Sequence, residues 1–389
     1  MQAARSRLPA SIWALGFVSL LMDVSSEMIH SLLPVFLSTG LGASMLAIGL
    51  IEGAAEATAL IVKVFSGAWS DWLGRRKPLA VLGYGLGAAS KPLFALATST
   101  GMVLAARLID RVGKGMRGAP RDALVADLVH PEQRGAAYGL RQALDTVGAF
   151  LGPLVAIGLM LLWANDFHAI FWVAVIPGVL SVALLFFGVQ EPDKPASGVR
   201  VNPIRRDNLR QLPPAYWWVV AVGALFTLAR FSEAFLVLRA QQGGLAIALA
   251  PLVLIAMNIV YSLGAYPFGK LADTMSHRKL LAMGLAVLIA ADVALAASDH
   301  GVLLWTGIVL WGLHMALTQG LLATMVAEAA PADLRGTAFG FFNLVSGLAM
   351  RLASGVAGLL WDRWGAPATF LAGAVLAALS LAALAGRRT

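Results

Sequence analysis

The sequence predicts an all-α membrane protein in which twelve transmembrane helices form two pseudo-symmetric six-helix bundles. Three observations lead there. Apolar residues make up 59% of the 389-residue chain and charged residues only 13%, too little polar surface for a water-soluble chain of this length. Apolar segments of roughly 20 residues, each enough to cross a hydrocarbon core, recur from end to end. A charged turn, GAWSDWLGRRK from Gly67 to Lys77, returns as GKLADTMSHRK from Gly269 to Lys279, 202 residues later. A period that long marks duplication of a whole bundle rather than a solenoid.

In order, the apolar segments run 11–37, 45–69, 78–97, 101–124, 135–162, 168–189, 215–239, 246–268, 279–298, 302–328, 337–361 and 365–386. The opening MQAARSRLPA is short and basic, as a signal peptide would begin. The apolar stretch behind it lacks a small-x-small exit, so it reads as a retained first helix. Between the sixth and seventh segments lies a linker from Gln190 to Pro214, carrying Pro192, Pro195, Pro213 and Pro214 with Lys194, Arg200, Arg205, Arg206 and Arg210. The expected organisation is a bundle over 1–189, a cytoplasmic linker over 190–214 and a second bundle over 215–389.

The formal charge of +8 does not point to nucleic acid, because the bases flank apolar segments instead of forming one patch. With the N-terminus inside, one side of the membrane holds Arg5, Arg7, Arg75, Arg76, Lys77, Arg134, the linker bases, Arg278, Lys279, Arg335, Arg387 and Arg388. The other holds Arg239 and Arg363. That asymmetry predicts a multi-pass protein of the bacterial inner membrane with both termini cytoplasmic. There is no cysteine, which excludes disulfides and thiolate metal sites.

The halves match beyond the charged turn. Arg134-Gly-Ala-Ala-Tyr-Gly139 is echoed by Arg335-Gly-Thr-Ala-Phe-Gly340, Ser26-Glu27 by Ser232-Glu233, and Asp127 falls opposite Glu328. Two such halves, with a Gly-x3-Asp turn after the second and eighth helices, resemble the major facilitator superfamily over the whole chain. The resemblance implies that Gly67, Asp71, Gly74 and Arg75, with Asp273 in the second copy, latch one state of an alternating-access cycle. Arg111-Val-Gly-Lys-Gly115-Met-Arg-Gly118-Ala119 resembles the helix-4 motif of proton-coupled members, with Lys114 where a Gln is usual. It implies a proton-transfer role for Arg111. Arg117, nearer the cytoplasmic end, is placed to snorkel. Gly139, Gly148 and Gly152-Pro153 in helix 5 resemble the antiporter motif of drug/proton exporters, although Ala156 and Ile157 stand where its closing glycines would be.

Ionisable residues inside a membrane need partners or a wet cavity. Helix 1 places Asp23, Glu27 and His30 on one stripe, helix 2 offers Glu52, Glu56 and Lys63, helix 4 carries Arg107, Asp110, Arg111, Lys114, Arg117 and Arg121, and helix 5 has Arg141 and Asp145. The second half is sparser, with Arg230 and Glu233, His314 and Arg351. Internal pairing accounts for part of this set. Asp23, Glu27 and Arg111 are the candidates for proton coupling, and Glu27, His30, Glu233 and His314 for substrate binding. Asp23, Glu27 and His30 also form an O,O,N set suited to a divalent metal such as Ni(II), Co(II) or Fe(II), and the helix-1 text LLMDVSSEMIHSLLPVFL resembles nickel-resistance permeases of the same superfamily.

The expected function is proton-coupled efflux of a small substrate by a monomer in the lipid bilayer. A divalent-metal exporter and an uncoupled facilitator or importer of organic molecules remain as alternatives. Aromatic residues of the second half (Trp217, Trp218, Phe226, Phe231, Phe235, Tyr261, Tyr266, Phe341 and Phe342) favour an organic substrate if they face inward. No spaced nucleophile and base, metalloprotease motif or phosphate loop is present, so neither an enzyme nor a cofactor is expected.

Overall fold

The computed structural model describes residues 8–73, 75–191, 209–272, 274–298, 301–331 and 334–386. Among these there are helices and no strands. Twelve long helical segments follow one another: α1 Ala10–Gly40, α2 Met45–Leu73, α3 Lys77–Ala95, α4 Thr100–Leu128, α5 Arg134–Leu162, α6 Phe167–Gly188, α7 Pro214–Gln242, α8 Leu252–Ala272, α9 His277–Ala297, α10 Val302–Ala329, α11 Arg335–Trp364 and α12 Ala366–Gly386. All except α3 and α4 are long and apolar enough to cross a membrane. Those two are the helices that carry Lys91 and the dense charge of the 107–122 stretch.

Local chemistry sets the ends. The Ser99 hydroxyl accepts the Met102 N–H at the start of α4, and the Asp166 carboxylate accepts the Ala169 N–H at the start of α6. Gly365, at φ +81°, makes the tight corner from α11 to α12. The α2 helix continues to Leu73, so Gly67 and the Asp71 backbone lie in its last turns and not in a loop. The α7 helix is interrupted from Arg230 to Glu233, where an unbroken helix was expected.

The chain forms two compact units, one from Met1–Ser31 with Val62–Asn202 and one from Leu32–Ile61 with Pro203–Thr389. In the first, α1 packs on α5 and α6, and α3 on α4 and α6. Glycine permits close approaches here: a β-carbon at Gly113 of α4 would stand 2.6 Å from the Gly83 carbonyl oxygen of α3. In the second, α9 packs on α10 and α12, α8 on α10, and α7 on α11 and α12. The outer part of α2 joins α11 there through Gly49, Gly53, Gly347 and Gly358. That seam is closed by Asp362, whose carboxylate accepts the Met45 and Leu46 N–H groups at 2.9 Å each.

Candidate functional site

In the first unit the site begins with the stripe on α1. Asp23, Glu27 and His30 lie along it, and Glu27 Oε2 is 3.4 Å from His30 Nδ1, both side chains about one-fifth uncovered by protein. Two of the four helix-5 motif residues seat α5 against this stripe. A β-carbon at Gly148 would stand 2.5 Å from the Leu20 carbonyl oxygen and 3.0 Å from Asp23 Cβ; one at Gly152 would stand 2.9 Å from Glu27 Cβ. Pro153, next to Gly152, is buried inside α5. Gly139 has open space around its α-carbon. The structure thus brings Asp23 and Glu27 together with Gly148 and Gly152.

Behind the stripe stands a buried ionic chain. Lys91 of α3, 1% exposed, donates to Asp110 Oδ1 at 2.8 Å and to the Ser26 hydroxyl at 3.0 Å. Asp110 Oδ2 lies 3.3 Å from Arg111 Nε. Arg111 is therefore linked through Asp110 and Lys91 to α1, one residue from Glu27. The aspartate thus stands between two cations, so its charge is compensated in place. Lys91 is absent from the sequence-based candidates, although a single lysine within the apolar GAASKPLFA marks it.

Nearer the end of α4, Arg117 does not snorkel. It is 5% exposed and its guanidinium lies 4.9 Å over the Tyr84 ring, reached through the glycines of α3. Arg121 approaches Asp145 of α5 at 3.8 Å and Asp122 at 3.1 Å, and Arg141 approaches Asp145 at 3.7 Å.

The latch residues fall around the joint of α2 and α3. A β-carbon at Gly67 would be in ordinary contact with Ala119 of α4, at 3.5 Å. Arg75 is exposed. The Asp71 side chain, Gly74 and Asp273 lie outside the described residues. Arg76 carries the visible ionic contacts: its Nε donates to Asp127 at 3.0 Å and its terminal nitrogen to the Ser70 hydroxyl at 2.8 Å. Glu191 accepts the Arg76 and Lys77 N–H groups at the start of α3. The second unit repeats the ion pair, with His277 Nδ1 3.1 Å from Glu328 Oε2. Both partners sit 201 residues beyond those of the first pair (277 − 76 and 328 − 127).

In the second unit Glu233 lies in the α7 interruption, where its Oε1 is 3.5 Å from Arg230. The freed backbone there is partly satisfied by side chains, the Ser232 N–H donating to the Ser354 hydroxyl at 3.1 Å. His314 is fully buried. Its Nδ1 donates to the Gly284 carbonyl at 3.0 Å, and its ring lies 5.3 Å from that of Phe226. Phe226, Phe231 and Phe235 are packed in the core, so they do not present aromatic surface to a substrate in this state. Tyr261 and Phe268 instead line a cleft of about 670 Å³ with Thr324, His277 and Glu328. Among the described residues, no three His, Asp or Glu side chains are gathered to hold a metal ion.

The sequence model of the Major Facilitator Superfamily matches residues 15–354. The chain is 35% identical over 383 residues to an uncharacterized MFS-type transporter of Methanocaldococcus jannaschii, covering 96% of this chain and 94% of that one. It is 27% identical over 348 residues to the multidrug resistance protein MdtH of Cronobacter sakazakii, covering 88% and 84%. Among solved structures, the nucleoside transporter NupG superposes with a TM-score of 0.82 at 13% identity, covering 96% and 98%. The match along most of its length, the helical architecture and the two repeated ion pairs agree: this chain belongs to the Major Facilitator Superfamily of membrane transporters.

Proposed function

We propose that this transporter exports a small organic molecule in exchange for protons, by alternating access, with both termini on the cytoplasmic side of the membrane. The observation that carries the reading is the seating of Gly148 and Gly152 against Asp23 and Glu27. The helix-5 glycines that resemble an exporter motif and the two acids best placed to exchange protons are one construction. The buried chain Lys91–Asp110–Arg111 supplies positive charge behind that stripe, so either acid can lose a proton without stranding a lone negative charge in the membrane.

An organic substrate is favoured by the cleft at Tyr261, Phe268, His277 and Glu328, whose volume lies in the range of small-molecule sites. The multidrug resistance relative is consistent with that class. The pairing of Glu27 with His30 offers two donors to a divalent metal, which is the competing reading.

The test is a resistance screen of a sensitive host against organic toxicants and divalent metals, followed by transport of the selected compound in sealed vesicles with and without an imposed pH gradient. Organic resistance with gradient-driven transport is expected. Resistance confined to metals, or transport indifferent to the gradient, contradicts the proposal.

A further inference from the structure

The second unit contains a buried acid that the mechanism above does not use. Asp292 lies in α9, towards the end remote from the basic His277–Lys279 start, and its side chain is 0% exposed. A β-carbon at Gly373 of α12 would stand 2.6 Å from Asp292 Oδ2 and 3.1 Å from the Phe231 ring. The carboxyl group and the phenylalanine of the α7 interruption therefore share the surface of Gly373. Phe231 is itself held by Trp311, Phe235 and Phe370, with ring centroids 5.4, 5.5 and 5.4 Å away.

Among the described residues neither Asp292 oxygen finds a hydrogen-bond donor. Among the described residues no ionisable group on the neighbouring elements hydrogen-bonds to Asp292, although Arg230 Nε and His314 Nε2 are themselves buried without a hydrogen-bond partner. On α7, Arg230 pairs with Glu233, and Arg239 donates to the Leu295 and Ser298 carbonyls. On α10, His314 donates to Gly284, about two turns away along α9, and Glu328 pairs with His277 at the far end. The α12 helix has no ionisable side chain. An ionised carboxylate in this aromatic pocket would be uncompensated. Even a neutral carboxyl without partners is a poorer occupant than leucine, so packing alone does not account for it.

We propose that Asp292 is a proton-binding site of the C-terminal half, opened and closed by the joint in α7. When the Arg230–Glu233 segment shifts, Phe231 moves off the carboxyl. The O–H bond can then break, its proton passing to entering water, and the carboxylate left behind faces Arg230. The interruption suits this role because the regular helical ladder is broken there and serine hydroxyls take over part of the backbone bonding. The proposal rests on the proton-driven reading for its place in the cycle, but its spectroscopic test does not.

The test is infrared difference spectroscopy of the purified full-length protein in lipid, stepped in pH, with wild type compared to Asp292→Asn. The amide is isosteric with the neutral acid and should fold. The expected result is a carboxylic C=O band in wild type, absent from Asp292→Asn, that is lost as pH rises and returns on acidification. A band that persists at every pH at which the protein stays folded would overturn the proposal, as would an unchanged band in Asp292→Asn. Asp292→Leu is the second check, with transport driven by a pH gradient expected to be lost from a well-folded protein; full transport in it would show that the acid is only packing. If the band titrates while wild-type transport ignores the gradient, the proton site stands and the exporter reading falls.

Discussion

Gly152 of α5 leaves no room for a side chain beside Glu27 of α1, because a β-carbon there would stand 2.9 Å from Glu27 Cβ and 2.9 Å from the Val24 carbonyl oxygen. Backbone atoms cannot yield as the tip of a long side chain can, so any substitution must part the two helices. Gly152→Ala is expected to cost about 1–3 kcal/mol and to impair transport more than the same change at Gly139, where space is open. Thermal unfolding and transport of both variants, at matched membrane abundance, check this. Equal behaviour would remove the motif from the site.

Lys91 gives a stability prediction. Lys91→Met removes one partner of a buried pair and leaves Asp110 with less compensation, a loss of about 3–5 kcal/mol. Adding Asp110→Asn should restore part of it, because the stranded charge goes too. A lowered midpoint in the single variant and partial recovery in the double one, read by thermal unfolding in detergent, are the expected results.

Arg111 and Arg117 are both buried, so exposure does not separate them. Their partners do. Arg111→Ala removes the terminal cation of the chain that runs through Asp110 and Lys91 to α1 and should abolish pH-driven transport. Arg117→Ala removes a cation stacked on Tyr84, a loss of roughly 0.5–2 kcal/mol that should lower the unfolding midpoint while some transport remains. Indistinguishable transport in the two variants would argue against the helix-4 assignment.

Asp362 is expected to act as a cap. It holds two N–H groups at the start of α2, where a carboxylate also meets the positive end of the helix. Asp362→Ala should lower stability by about 0.5–2 kcal/mol, and Asp362→Asn by less, since an amide oxygen still accepts. Unfolding midpoints of the two variants against wild type decide it.

The helix pattern was legible because apolar length and turn chemistry are local properties, and the repeat because the charged turn at Gly67–Lys77 and the Arg134–Gly139 run both recur at nearly one offset. The α7 interruption was not legible: no proline or glycine marks Arg230–Glu233, and tertiary contacts such as Ser232 to Ser354 satisfy the backbone there. Lys91 and Asp292 were missed for a related reason. Each is a single charge in an apolar run, and helical spacing gives its face but not the neighbour that faces it. Asp362 reads as an ordinary charge at a helix end until α2 is placed beside it.

In the proposed cycle Glu27 and Asp23, seated against the helix-5 glycines, couple proton movement to transport. Its most direct measurement follows a compound to which the protein confers resistance, in sealed vesicles of wild type, Glu27→Gln and Asp23→Asn, with a pH gradient imposed and then collapsed. Wild type is expected to accumulate the compound only while the gradient lasts, and Glu27→Gln to exchange it across the membrane without accumulating it. Gradient-driven accumulation at the wild-type level in both variants would contradict the account.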